Sequence, residues 1–350
     1  MINKKSNTDS NNYYAIDVYA GCGGLSEGMR RAGFRVVAAI ERDEIPARCY
    51  KKNHPETTLI IDDIRKIKIS NIKKLLAGRP LHLLAGCPPC QGFSSVRRLN
   101  RKKAVRDERN GLILEYFRLI KRLNPLTVMM ENVPGLRNYY LFKKMIIELK
   151  KMGYFLDYDV VNVEKYGVPQ RRKRLVLVGS LLSQIKVAPS PNIKKTVRDA
   201  IGNLKSPDAT RNPLHRIVAR HTSRIQNLIN MIPPDGGSRT DLPKKYQLAC
   251  HKKPNVGFKD IYGRLKWNSY SSTITGGCLN PSKGRFLHPE ENRVITPREA
   301  ALLQTFPKNY KFPLSFSKAE LALMIGNALP PEFSRIQTAH ILDHIKSFNG

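Results

Sequence analysis

The sequence predicts an α/β protein built on a doubly wound, Rossmann-like mixed sheet, with a second, smaller and irregular domain inserted before the C-terminal segment. Three observations support this. Short apolar runs alternate with helical patterns from about Tyr14 to Gly179, the signature of strands in one sheet separated by crossover helices. The first run leads into a glycine-rich turn and then a helix, as in folds that bind a nucleotide-like ligand at the carboxyl end of a sheet. From Leu182 onward proline and glycine multiply and the periodicity fades, which marks loops and turns.

In chain order, residues 1–12 are polar and asparagine-rich, the composition of a disordered tail and not of a signal peptide or membrane anchor. Strands are expected at 15–20, 36–40, 58–61, 81–85, 126–130 and 174–179, each a run of β-branched or aliphatic residues of strand length. The clearest helix is expected over 110–123, where Leu112, Ile113, Tyr116, Phe117 and Ile120 recur at helical spacing and Pro125 ends the pattern. Residues 231–237 read as a turn cluster. Stretches 260–267 and 271–277 alternate enough for strands and turns, with Trp267 and Ile274 in the core. Helix returns between Thr296 and His344, with Pro297 in a first turn. The division is therefore 1–12 tail, 13–181 catalytic and cofactor-binding domain, 182–293 second domain, and 294–350 a segment returning to the first.

The chain has 350 residues, long enough for a substantial core. Its 61 basic and 28 acidic residues leave a formal charge of +33, which implies a polyanionic partner, nucleic acid before an acidic membrane surface. No apolar run reaches the ~18 residues of a membrane span, so a soluble, cytoplasmic protein is expected. Six cysteines without a regular framework point to free thiols in a reducing compartment. His215, His221, His251 and His288 with Cys250 and Cys278 lack zinc-ligand spacing, and no metal is expected.

The stretch GCPPCQGFS over 86–94 follows an apolar run and presents Cys90 on a loop stiffened by two prolines. The residues are those of a cysteine nucleophile acting on a nucleic-acid base. They also form a C-x-x-C, Cys87 to Cys90, which would suit a thiol oxidoreductase. The turn DVYAGCGG over 17–24 lacks the dinucleotide spacing G-x-G-x-x-G. Glu41 ends the next strand ~20 residues on, where α/β folds hold a ribose diol, and Asp62 and Asp63 end the third. Together these residues suggest an adenosine-containing cofactor, S-adenosylmethionine before a dinucleotide. Glu131 opens ENVPG (131–135), a carboxylate at another sheet edge that could serve a ring nitrogen. Alternation places Gln170, Arg172 and Arg174 of QRRKR on one face, suited to phosphate or a base edge. The run 97–109 carries seven basic residues and is expected to lie against a DNA backbone.

The ordered set DVYAGCGG (17–24), PPCQGFS (88–94), ENVPG (131–135), QRRKR (170–174), REAALLQ (298–304) and GNALPP (326–331) resembles the C5-cytosine DNA methyltransferases over about Tyr14 to Phe333. The resemblance implies an S-adenosylmethionine-dependent methyltransferase fold, with 182–293 as a target recognition domain. It implies DNA (cytosine-5-)-methylation through a covalent Cys90–C6 adduct on a flipped base, with Glu131 on N3 of cytosine and Arg172 and Arg174 as clamps. The cofactor would meet Asp17, Tyr19, Gly21, Gly23, Gly24, Glu41, Asp63, Ile64, Pro89 and Asn327. Contacts to double-stranded DNA would come from Gln91, Ser94, Arg97, Arg98, Arg101, Lys102 and Gln170, with Arg264 and Lys266 in the recognition domain. Tyr19 stands where the family usually has phenylalanine, Cys87 and Asp62 where glycine is common. A monomer is expected, either solitary or beside a cognate restriction endonuclease that acts on the same site without direct contact. The runner-up is a tRNA cytosine-5 methyltransferase, which shares the catalytic motifs.

Overall fold

A computed structural model of the chain describes residues 13–89, 111–249 and 260–348. Seven strands form one sheet: β1 Tyr13–Val18, β2 Phe34–Glu41, β3 Thr58–Ile61, β4 Leu83–Gly86, β5 Thr127–Asn132, β6 Phe155–Asn162 and β7 Lys173–Ser180. Their spatial order is β3-β2-β1-β4-β5-β7-β6. The first five run parallel, and β7 inserts antiparallel between β5 and β6. The strand order reverses between β1 and β4, the switch point where open α/β sheets bind ligands outside their carboxyl ends.

The central strands are apolar throughout because both of their faces are covered. Every residue of β1 is buried, and its alternation divides the core. Tyr14, Ile16 and Val18 point into one cluster; Tyr13 and Ala15 point into the other. On the first face lie α3 Ile69–Leu76, α4 Leu112–Leu123 and α5 Tyr140–Lys151, whose apolar stripes include Ile113, Tyr116, Leu119 and Ile120. On the second face α1 Gly24–Ala32 contributes Leu25 and Met29. It packs along α10 Pro331–Lys346, which contributes Phe333, Ile341, Leu342 and Ile345. Each such side chain contributes about 1.5–3 kcal/mol when fully buried. Helix α2 Glu44–Asn53 follows β2, with Asp43 as its N-cap.

A third apolar cluster joins α6 Val197–Ile201, α7 Ser223–Met231, α8 Pro297–Leu303 and α9 Lys318–Asn327 to the loops between them and to Cys22 and Cys49. Helix α8 opens with a capping box, Thr296 with Glu299, and Glu299 also accepts both terminal nitrogens of Arg293 at 2.8 Å. Trp267 and Ile274 belong to this cluster, as expected.

Several expectations need correction. Strand β6 is not among those expected, and helices α6 and α7 lie in a region read as aperiodic. Stretches 260–267 and 271–277 form turns and isolated bridges such as Arg264 with Leu287 and Gln170 with Ser271; none of their residues is in a strand. The backbone there is held by side chains and tight turns in place of a ladder. The tail 1–12 lies outside the described residues.

Candidate active site

Five parallel strands deliver the site to one edge of the sheet. At the end of β1 the chain turns through Tyr19, at φ 63°, into Gly21 to Gly24 and α1. Gly24 is required by close approach, because a Cβ there would lie 2.2 Å from the Leu329 carbonyl oxygen. Glu41, at the end of β2, accepts from the Gly21 N–H through Oε2 and from the Asp43 N–H through Oε1, each at 2.8 Å. Burial raises its carboxyl above the ordinary range. Asp63 follows β3 and is held well below the usual carboxylate range, first by the Arg65 side chain and then by the Arg65 backbone N–H. The Arg65 side chain donates to it at 2.6 and 2.9 Å.

These strand ends line a cavity of about 370 Å³ that includes Tyr19, Gly21, Gly24, Glu41, Asp62 and Asp63. Ile64, Pro89 and Asn327, expected from the sequence, line it as well. So do Asp43, Cys87, Leu112, Met324 and Leu329, which the sequence reading missed. For Leu329 the available signal was its place two residues beyond Asn327 in the same motif. Tyr19 is anchored by its hydroxyl, which donates to the Leu112 carbonyl at 2.6 Å. A Cβ at Gly21 would meet nothing within 4 Å, so the space beside the turn is open. The size suits a small-molecule site, and a wall with several carboxylates and a half-buried aromatic ring suits a ligand carrying a diol and a positive charge. The residues present therefore fit S-adenosylmethionine.

Two residues expected at the cofactor sit behind the turn instead. Asp17 is fully buried and accepts from the Ser26 hydroxyl at 2.6 Å. Burial raises its carboxyl to about 7. Gly23 packs against His54 and Tyr310, either of which would lie 2.7 Å from a Cβ at that position. Both residues support the turn without lining the cavity.

Strands β4 and β5 place the second half of the site. They pair directly, Gly86 opposite Met130, so Cys87 and Glu131 leave neighbouring strands at the same edge. The Asn132 side-chain amide donates to the Pro88 carbonyl at 2.8 Å, pinning the Pro-Pro step to the Glu131 turn. Burial pushes the Cys87 thiol well up, and the Glu131 and Asp17 charges push it the same way. Such a thiol is a poor thiolate, which weighs against the oxidoreductase reading. Glu131 is buried, and Arg174 Nε stands 2.6 Å from its Oε1. This contact lacks hydrogen-bond alignment, and Oε1 has no hydrogen-bond partner among the described residues.

Arg172 and Arg174 play different parts. Arg172 is buried, and its terminal nitrogens donate to the carbonyls of Ile274, Gly326 and Ala328 at 3.2–3.4 Å. Burial and the neighbouring Arg174 lower it to about 9. It braces the chain before β7 against Ile274 and the Gly326 to Ala328 segment. Gln170, expected at DNA, is fully buried and bonded to the Leu303 carbonyl, Gln304 and the Ile274 N–H. Arg264, also expected there, is 1% exposed and donates to the carbonyls of Ile229, Ile232, His288 and Glu291. Lys266 is exposed. Cys90, Gln91, Ser94, Arg97, Arg98, Arg101 and Lys102 lie outside the described residues, as do Cys250 and His251.

Comparison with known proteins agrees with this architecture. The family model described as C-5 cytosine-specific DNA methylase matches residues 13–342. The chain is 34% identical over 336 residues to Type II methylase M.HgiDII of Herpetosiphon aurantiacus, with 92% of each chain covered. It is 31% identical to Type II methyltransferase M.Eco47II of Escherichia coli, covering 96% of this chain and 81% of that one. Among solved structures, a candidate DNA modification methyltransferase encoded within an E. coli prophage superposes with a TM-score of 0.70 at 26% identity, covering 96% of this chain and 100% of the other.

Proposed function

The chain belongs to the C-5 cytosine-specific DNA methylases, S-adenosylmethionine-dependent enzymes that methylate cytosine in DNA, and from that premise we propose how its own residues divide the work. Cys90 is the nucleophile, Glu131 the group on cytosine N3, and Arg174 the cation that holds Glu131 and the base. The observation that carries this reading is the Asn132 to Pro88 hydrogen bond beside the buried Glu131 carboxyl, against which Arg174 stands at 2.6 Å. It ties the chain entering the Cys90 segment to a buried acceptor facing the same edge.

Carbon 5 of cytosine is a weak nucleophile, and the ring must be activated before it can take a methyl group. Addition of the Cys90 thiolate to C6 forms a sulfur–carbon bond and breaks the C5–C6 π bond, while Glu131 in its protonated form donates to N3, so that the ring becomes an enamine with its electron density on C5. Bound S-adenosylmethionine supplies the electrophilic methyl group. Loss of the C5 proton and expulsion of the thiolate then restore the ring. Glu41 and Asp63 would hold the cofactor's hydroxyls, and Tyr19 would form an apolar wall. The target base must leave the duplex stack to reach these groups, at a cost of a few kcal/mol recovered from protein contacts.

The basic run 97–109 and Lys266 would neutralise DNA phosphates, and 182–293 would read the site, with 294–350 returning to the first domain. Among the described residues no helix is long and apolar enough to cross a membrane. A substrate held in the nucleoid implies cytoplasmic work. The relatives are Type II methylases, which supports action beside a restriction endonuclease of the same specificity, each protein working as a separate unit and the methylase as a monomer.

The test is transfer of labelled methyl from S-adenosylmethionine to unmethylated genomic DNA by wild type, Cys90→Ala and Cys87→Ala. Label is expected in 5-methylcytosine for wild type and Cys87→Ala and absent for Cys90→Ala. Label retained by Cys90→Ala would remove Cys90 as nucleophile.

A further inference from the structure

Two open cavities meet on a part of the molecule that the methyl-transfer chemistry does not use. One, of about 690 Å³, is lined by Arg30, Arg31, Lys52, Lys195, Lys308 and Lys311 among others. The second, of about 470 Å³, shares Lys52, Lys308 and Lys311 with the first and adds Arg298. Neither shares a lining residue with the cofactor cavity. Helices α1 and α2 both start beside that cavity, after β1 and β2, and run back across the sheet. Arg30, Arg31 and Lys52 lie in their last turns, so the trough faces away from the carboxyl edge.

Its charges fall into two groups. Arg30 is paired with Glu27 and Arg31 with Glu332, and these pairs are neutral. Lys52, Lys195, Lys308 and Lys311 are exposed, and no ion pair involves them among the described residues. Lys52 sits at a helix C-terminus, where a cation is favourable on helix-dipole grounds alone. The other three lie on irregular backbone and have no such reason to be there. Arg298 lies beneath them. It is buried, donates through one nitrogen to the Tyr310 carbonyl at 3.1 Å, and leaves Nε and Nη1 without a partner among the described residues. A buried guanidinium with free donors under a rim of unpaired lysines is suited to phosphate oxygens.

We propose that this trough is a second, sequence-independent binding site for the phosphate backbone of DNA, remote from the target cytosine. It holds a second segment of the polymer while the catalytic edge is empty or occupied. The enzyme then passes between segments of one long molecule without release into solution, as backbone-bound proteins do.

The experiment compares wild type with Lys52→Ala/Lys308→Ala/Lys311→Ala. Labelled-methyl kcat/KM is measured on an intact plasmid and on the same plasmid cut to fragments of a few tens of base pairs, with the salt dependence of plasmid binding and the thermal midpoint of each protein. The variant is expected to lose several-fold on the plasmid and keep the wild-type rate on fragments. Its plasmid-binding slope in log K against log salt should be shallower by roughly 2 to 3, at about 0.9 for each phosphate that is no longer neutralised. Equal loss on both substrates, or no change on either, overturns the proposal. An unchanged midpoint with equal loss would instead assign these lysines to the catalytic cleft, and the assignment of Cys90 and Glu131 stands whichever result is found.

Discussion

At the scale of single residues, Glu131 is placed by the cation beside it. Arg174 balances its charge across a 2.6 Å contact at Oε1. Glu131→Gln keeps the shape and removes the charge. It should lower kcat by roughly 10²- to 10⁴-fold, the usual range for a proton-handling group, while equilibrium binding of S-adenosylmethionine is unchanged because Glu131 does not line the cofactor cavity. A parallel loss in cofactor affinity would show that it acts through the turn. Asp17 carries a pH signature of its own. Burial raises its carboxyl from 3.8 to about 7, so between these values the unfolded chain has released the proton and the folded one has not. Its contribution to stability therefore falls as pH rises across that window and levels off above it. Asp17→Asn should gain in thermal midpoint over wild type as pH is raised from 4 to 8, read from paired melting curves. A constant difference would remove Asp17 as the titrating group.

At the scale of elements, α9 and the segment after it lock the two halves of the site together. A Cβ on Gly326 would lie 2.1 Å from the Thr275 carbonyl carbon and 2.3 Å from its oxygen, both backbone atoms that cannot yield cheaply. Gly326→Ala should cost about 1–3 kcal/mol or more, the range for overpacking. It should also raise KM for S-adenosylmethionine, since Asn327 lines the cavity and Arg172 and Gln304 bond to the Gly326 carbonyl. A wild-type midpoint and KM would contradict this packing. Legibility from the sequence also varied by element. The central strands β1, β2, β4 and β5 were readable because burial on both faces makes them continuous apolar runs, and β3, though an edge strand, because its four residues carry no charge. Strand β6 was not, because as an edge strand it is half exposed and mixes Asp157 and Asp159 with its apolar residues. The sequence assigns Arg264 and Gln170 to DNA contacts, because their partners within the fold lie far along the chain. Arg264 bonds to carbonyls 24 to 35 positions away, and Gln170 bonds to Gln304, 134 positions away. Local alternation carries no information about such pairings.

At the scale of the whole molecule, a charge of +33 is more than one catalytic cleft can use. The ion pairs among the described residues leave most lysines without a partner, and a positive field of this size draws the protein to any polyanion. Cofactor and base chemistry are confined to one sheet edge, while the cations extend beyond it. The sequence made the first legible through its motifs and the second only as a total, because composition reports how much charge there is and not where it gathers.

The cofactor cavity also sets a schedule for synthesis. Gly21, Glu41 and Asp63 are made well before the opposite wall at Met324, Asn327 and Leu329. Ser334, in the helix that closes the second face, donates to the Leu25 carbonyl across 309 positions of chain. At 5–20 residues per second a ribosome takes roughly 15–60 s to cover that distance. During this interval the growing chain has a basic surface that can touch DNA and only half of a cofactor pocket. The pocket closes only once α9 and α10 have been translated, so those helices set when methylation can begin.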